Sequence, residues 1–280
     1  IKKPRYTRQD QEKRHIKDEI KTKPYIGITG PATVDEVTVV GNLFREAGYS
    51  NQSIHVPMIG ILVSHKTLER QPTKNRRYPN YQLVPELLRE ASQFGIPMIH
   101  YNSRENDTLA DQLGIILADS KDFCQGIQLN IVWPDLKKMK AVKRFFPSVK
   151  FVVQLSHSAM NNSTPSEIAR RVREYEETAN YTLIDPSGGK GREFDIEHSI
   201  AVYEALRNQV PQTTIGFAGG FTGANVEQRV LTLKQRLETE DFCIDAEGGL
   251  RDKITDEYGD DLLNLDKVKD YLRKATKGLK

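Results

Sequence analysis

Residues 183–195 read LIDPSGGKGREFD. An apolar strand, Tyr181 to Ile184, ends in Asp185; a loop with Gly188, Gly189 and Gly191 follows, and a helix begins near Phe194. A carboxylate at the C-terminal lip of a buried strand is costly to desolvate, so it needs partners or a task. Where strands alternate with helices, that lip is also where active sites sit. The plainer reading is that Asp185 caps a turn beside Pro186. The choice depends on whether this strand–loop–helix unit is one of a series.

It is one of eight. Short apolar runs occur at Tyr25–Thr29, Val56–Ser64, Pro97–Asn102, Gly126–Val132, Lys150–Ser156, Tyr181–Asp185, Thr213–Ala218 and Phe242–Ala246. They recur at intervals of roughly 30 residues, the length of a βα unit. Amphipathic stretches lie between them: Val34–Ala47, Leu83–Phe94, Leu136–Phe146, Pro165–Ala179, Ile196–Arg207 and Val226–Leu237. A last helix is expected over Asp266–Thr276. Eight strands alternating with helices predict an α/β fold, a (β/α)8 TIM barrel over residues 24–280. A doubly wound open sheet is the alternative, but it favours a glycine fingerprint after the first strand, which Gly27 and Gly30 do not complete. Residues 1–23 are mostly charged and are expected to form a solvated N-terminal arm or helix.

Composition narrows the function classes. A net charge of +3 gives no general argument for nucleic acid, and the N-terminal arm mixes acids with its bases and has no aromatic platform. No apolar run approaches the roughly 20 residues that span a membrane. No signal-peptide pattern stands at the start, so a cytoplasmic location is expected. Cys124 and Cys243 are far apart with no metal-like spacing, so free buried thiols are expected. No HExxH, paired-Cys or clustered His/Asp pattern suggests a metal. No Lys lies inside a strand, Lys150 standing at the start of one, the wrong end, which argues against a Schiff base, and no Ser-centred nucleophile elbow occurs. No cofactor, and a monomer or homodimer, are the expectations.

Polar residues stand two apart in three successive strands: His100 and Asn102, Gln128 and Asn130, Gln154 and Ser156. Alternate residues of a barrel strand point inward. Outward, these groups would be buried unpaired against helices, so they are expected to line a polar pocket at the mouth. Glycine pairs follow the last two strands, at Gly219-Gly220 and Gly248-Gly249. Loops at these positions often hold a phosphate on backbone N–H groups. Glu247 beside the second pair would repel an anion unless it points away. Residues 65–82 form an insertion carrying Lys66, Arg70, Lys74, Arg76 and Arg77 with Tyr78 and Tyr81, readable as a basic lid over an anionic substrate or as a solvated loop.

With these strings in hand, the chain resembles phosphoribosylanthranilate isomerase, a (β/α)8 enzyme of tryptophan biosynthesis. The resemblance rests on GIT at 27–29, GIQLN at 126–130, LID with GGKGREFD at 183–195, FAGGF at 217–221 and IDAEGGLRD at 244–252. It implies an Amadori rearrangement of a phosphorylated aminosugar, with Asp185 in the place of the general acid. The family's general base is a Cys directly before GIT; that position is Ile26, which cannot accept a proton. Asn130 replaces the family's fourth-strand His. Lys66 is the nearest match to the basic residue that holds the anthranilate carboxylate. The expected site is therefore Asp185 and His100 as catalytic groups; Asn102, Gln128, Asn130 and Lys66 as substrate contacts; and Gly219, Gly220, Gly248 and Gly249 as a phosphate site. Three readings follow: an isomerase on another phosphorylated sugar, a non-catalytic phosphometabolite binder acting as sensor or partner subunit, or a family isomerase with a relocated base.

Overall fold

Eight parallel strands close on themselves in sequence order, β1-β2-β3-β4-β5-β6-β7-β8, with β1 paired to β8. The computed structural model describes residues 22–71, 75–187, 195–257 and 259–280. The strands are β1 (Tyr25–Thr29), β2 (Val56–Ser64), β3 (Ile96–Asn102), β4 (Gly126–Leu129), β5 (Lys150–Ser156), β6 (Ala179–Asp185), β7 (Thr214–Ala218) and β8 (Cys243–Ala246). The expected barrel is present, with strand boundaries displaced by at most a few residues.

The outer helices are α1 (Val34–Glu46), α2 (His65–Leu68), α3 (Val84–Ala91), α4 (Leu109–Asp119), α5 (Leu136–Phe145), α6 (His157–Met160), α7 (Pro165–Arg173), α8 (Ile196–Gln209), α9 (Val226–Leu237) and α10 (Leu265–Leu279). Their starts have local causes. Thr33 and Thr164 each close a capping box, with Glu36 and Glu167 reaching back from the first turn. Asp195 caps α8 by accepting from His198 N–H. Sequence periodicity missed α4 and also a short antiparallel hairpin, β9 (Arg251–Lys253) with β10 (Asp261–Leu263), after β8.

The core has two layers. Ile26, Ile28, Ile59 and Ile61 face outward and pack under the helices with residues such as Val37, Phe44 and Leu88. A separate apolar plug fills the lower barrel: Tyr25, Met58, Met98, Val152, Tyr181, Leu183 and Cys243 among others. Thr22 and Lys23 lie against this lower end: the Thr214 hydroxyl donates to Thr22 O at 2.6 Å, and the Tyr181 hydroxyl donates to Lys23 O at 3.1 Å. The rest of the expected N-terminal arm, residues 1–21, lies outside the described residues, as do Lys74 and the loop glycines Gly188, Gly189 and Gly191. Both cysteines are buried and neither forms a disulfide among the described residues. Among the described residues no helix is long and apolar enough to cross a membrane.

Candidate active site

Within each strand the inward positions change character along the chain. The lower ones are apolar; two and four residues on they become polar: Tyr25, Gly27, Thr29; Met98, His100, Asn102; Val152, Gln154, Ser156; Leu183, Asp185; Cys243, Asp245, Glu247. An inward phase held over several strands stacks these polar groups above the plug, at the C-terminal end of the barrel. There they line a cavity of about 650 Å³ that includes Asn102, Gln128, Asn130, Gln154, Ser156, Asp185 and Asp245. The inward orientation expected for the β3, β4 and β5 polar pairs is what the barrel shows.

Two carboxylates dominate the cavity. Asp185 pairs with Ser156 across the sheet, Ala218 pairs with Asp245, and both Asp side chains are almost fully buried. They come from strands two apart, so their Cα atoms are about 10 Å from each other. Asp185 accepts from Gln154 Nε2 at 2.6 Å and from the Ser187 hydroxyl at 2.8 Å. Asp245 accepts from the Thr29 hydroxyl at 3.1 Å. Burial, then the nearby charge of Glu247, pushes the Asp245 carboxyl up to about 7, against the smaller opposing effect of the Thr29 hydrogen bond. Asp245 therefore carries a proton for part of the time at neutral pH.

His100 lies beneath this pair rather than in the cavity. Its ring nitrogens are 3.3 and 3.4 Å from the Thr29 hydroxyl, and Nε2 is 3.9 Å from Asp245 Oδ2. Burial lowers its pKa to about 3, so the imidazole is neutral. Gly60 makes room for it: a Cβ there would strike Thr29 Oγ1 and His100 Nε2. Ile26 belongs to the outer layer, so no side chain at that position reaches the mouth; β1 offers Gly27 and Thr29 instead.

The glycine pairs also line the cavity. Gly219 and Gly220 have φ of 97° and 66°, the left-handed region that favours glycine. The N–H groups of Gly219, Gly220, Gly248 and Gly249 donate to no acceptor among the described residues. Above them, the two covering segments meet. Lys66, expected as a substrate contact, is exposed on α2 and is not among the residues that line the cavity. Arg77 and Tyr78 of the same insertion do. Arg77 Nε donates to both oxygens of Asp261 at 2.9 Å, and Nη1 lies 3.4 Å from Glu247 Oε1. Arg251 Nη1 joins Asp261 at 3.3 Å, Arg251 Nη2 donates to Gly30 O at 3.1 Å, and Arg76 pairs with Asp260 at 2.9 Å. The insertion is thus fastened to the β9–β10 hairpin.

Sequence reasoning missed Asp245, Thr29, Ser187 and Arg77. Asp245 left a signal, since a carboxylate inside the apolar run FCIDA poses the same desolvation problem as Asp185 in YTLID. Arg77 left none that separates it from four other basic residues in its insertion. Among the described residues no group of three or more His, Cys, Asp or Glu is arranged to hold a metal ion.

No protein-family model matches the chain, and no curated protein matches it in sequence. Solved structures do. Phosphoribosyl anthranilate isomerase from Thermus thermophilus matches at a TM-score of 0.55 and 12% identity, over 89% of this chain and 97% of that one. The catalytic domain of a hyperthermophilic chitinase from Pyrococcus furiosus matches at 0.56 and 13%, over 90% and 95%. A Rubisco-like protein from Rhodopseudomonas palustris matches at 0.54 and 12%, over 92% and 65%. Likeness at such identities is likeness of fold, and the three names differ in chemistry.

Proposed function

We propose that the barrel mouth binds a phosphorylated, sugar-type small molecule and moves a proton on it, as an isomerase whose acid–base pair is Asp185 and Asp245. The observation that carries this is the pair itself: two buried carboxylates at the floor of one cavity, in unlike environments, one of them titrating near neutral pH. Carboxylates set apart in this way divide acid and base work between them. Asp245, holding a proton part of the time, is suited to protonate a ring oxygen. Asp185, oriented by Gln154 and Ser187, is suited to exchange a proton at the adjoining carbon. The N–H groups of Gly219, Gly220, Gly248 and Gly249 would hold the phosphate, and Gln128, Asn102 and Asn130 would meet hydroxyls. Arg77, already engaged by Asp261 and Glu247, is poorly placed to take an anthranilate carboxylate, which favours a substrate other than phosphoribosylanthranilate.

One observation favours a second reading, a phosphometabolite binder without turnover: Ile26, the β1 residue matched in sequence to the family's base, is an apolar side chain packed in the outer core and cannot take a proton. Both are tested by incubating the protein in D2O with pentose phosphates and, separately, with phosphoribosylanthranilate. Deuterium exchange at C2 is followed by NMR, and anthranilate fluorescence by its loss. Exchange on a pentose phosphate that falls about 10²–10⁴-fold in Asp185→Asn supports the isomerase. Thermal stabilisation without exchange supports the binder. Neither exchange nor stabilisation with any compound overturns the phosphate-sugar reading, and turnover of phosphoribosylanthranilate restores the relocated-base isomerase.

A further inference from the structure

Glu247 stands where an anion site should not have it. It follows the end of β8, two residues after Asp245, lines the cavity, and directly precedes Gly248 and Gly249. A carboxylate beside N–H groups proposed to hold an anion would compete with that anion for the same positive potential. Two guanidiniums offset its charge: Arg251, four residues on, does so more strongly, and Arg77 Nη1 reaches in from the far side of the mouth to lie 3.4 Å from Glu247 Oε1, although 170 residues separate the two in sequence. The Arg77 guanidinium is not loose. Asp261, buried, grips its Nε with both oxygens at 2.9 Å and is itself shared with Arg251. A fork held on one edge by a fixed carboxylate presents its other edge in a fixed direction.

We infer that Arg77 is a positioning residue for the anion site: it draws the Glu247 carboxylate aside and, together with Arg251, offsets its charge so that the Gly248–Gly249 N–H groups can donate to a phosphate, without Arg77 itself contacting the ligand. This rests on the anion-site reading above and adds a requirement to it: the β2 insertion, not the barrel alone, makes the site electrostatically competent. A merely structural Arg77 would fasten the insertion and leave the anion affinity to the glycines.

The test is binding of inorganic phosphate, and then of ribose 5-phosphate, to the full chain by calorimetry, for the parent protein, Arg77→Gln, Glu247→Gln and the double variant. Arg77→Gln is expected to weaken phosphate about tenfold, and Glu247→Gln alone to tighten it several-fold; the double variant should return to within about twofold of Glu247→Gln, because nothing remains to be neutralised. Circular dichroism checks that each variant is folded, and Glu247→Gln alone decides the matter if Arg77→Gln is not. Unchanged or weaker binding in Glu247→Gln overturns the inference. So does a double variant as weak as Arg77→Gln, which would make Arg77 a direct ligand contact. If the parent binds neither compound, the anion site itself falls and the inference falls with it; a parent that binds while the variants fail the pattern removes the inference alone.

Discussion

His100 and Asp245 touch the same hydroxyl and titrate in opposite senses. Between about 3, the value of buried His100, and its ordinary 6.5, the unfolded chain holds a proton that the folded chain lacks. That contribution to stability is present above 6.5 and is lost as pH falls through the window. For Asp245 the fold keeps a proton between 3.8 and about 7 that the unfolded carboxyl has released, so its contribution is lost as pH rises. From 3.8 to 6.5 the two slopes oppose each other. Asp245→Asn should therefore unmask a steeper loss of stability below pH 6.5 and remove the loss near pH 7, a penalty of about 4 kcal/mol at most. Urea midpoints at pH 4.5, 6 and 8 read this directly, and a variant with the parent's pH profile would refute it. Asp185 was legible because a carboxylate ends an apolar run before a glycine loop. Asp245 went unread because its run continues into a conspicuous glycine pair, and its partners His100 and Thr29 lie 145 and 216 residues away in sequence.

Local chemistry decides where elements start, and distant chemistry decides what covers the mouth. Thr33 accepts from Glu36 N–H at 3.2 Å while Glu36 Oε2 takes the N–H groups of Ala32 and Thr33. Thr33→Ala should cost about 1 kcal/mol in chemical denaturation and leave the mouth unaltered. Arg77→Ala has a different signature. It strips Asp261 and Glu247 of a shared counter-charge, although Arg251 still serves both, and should cost about 2–4 kcal/mol. Hydrogen exchange should rise in residues 75–78 and 251–263 together, since the two segments are fastened to each other by Arg77 and by Arg76 with Asp260. Exchange confined to one segment would show that they open independently. Most helices were legible from period and caps. The helix α4 was not, because LADQLGIILAD is apolar on too many sides to show a stripe, and the β9–β10 hairpin was not, because its strands are only three residues long.

The whole barrel separates stability from chemistry by height. The lower interior is an apolar plug and the upper interior a polar cup, so Leu183→Ala, in the plug, should cost about 2–5 kcal/mol while leaving the Asp185–Gln154 and Asp245–Thr29 contacts in place. The same sequence determined by itself that there are eight barrel strands, that helices alternate with them, that the polar pairs on β3, β4 and β5 face inward, and that glycines follow β7 and β8. These follow from periodicities of two and 3.6 residues and from the cost of burying unpaired polar groups, all of which act within a short stretch of chain. Only the tertiary structure decided that β1 presents Gly27 and Thr29 rather than Ile26, that His100 lies under the cavity, that Asp245 completes the pair with Asp185, and that Arg77 rather than Lys66 reaches the mouth. Each of these depends on the phase at which a strand enters the closed barrel, or on charges brought together from opposite ends of the chain. Ring closure fixes both at once, and no local window contains them.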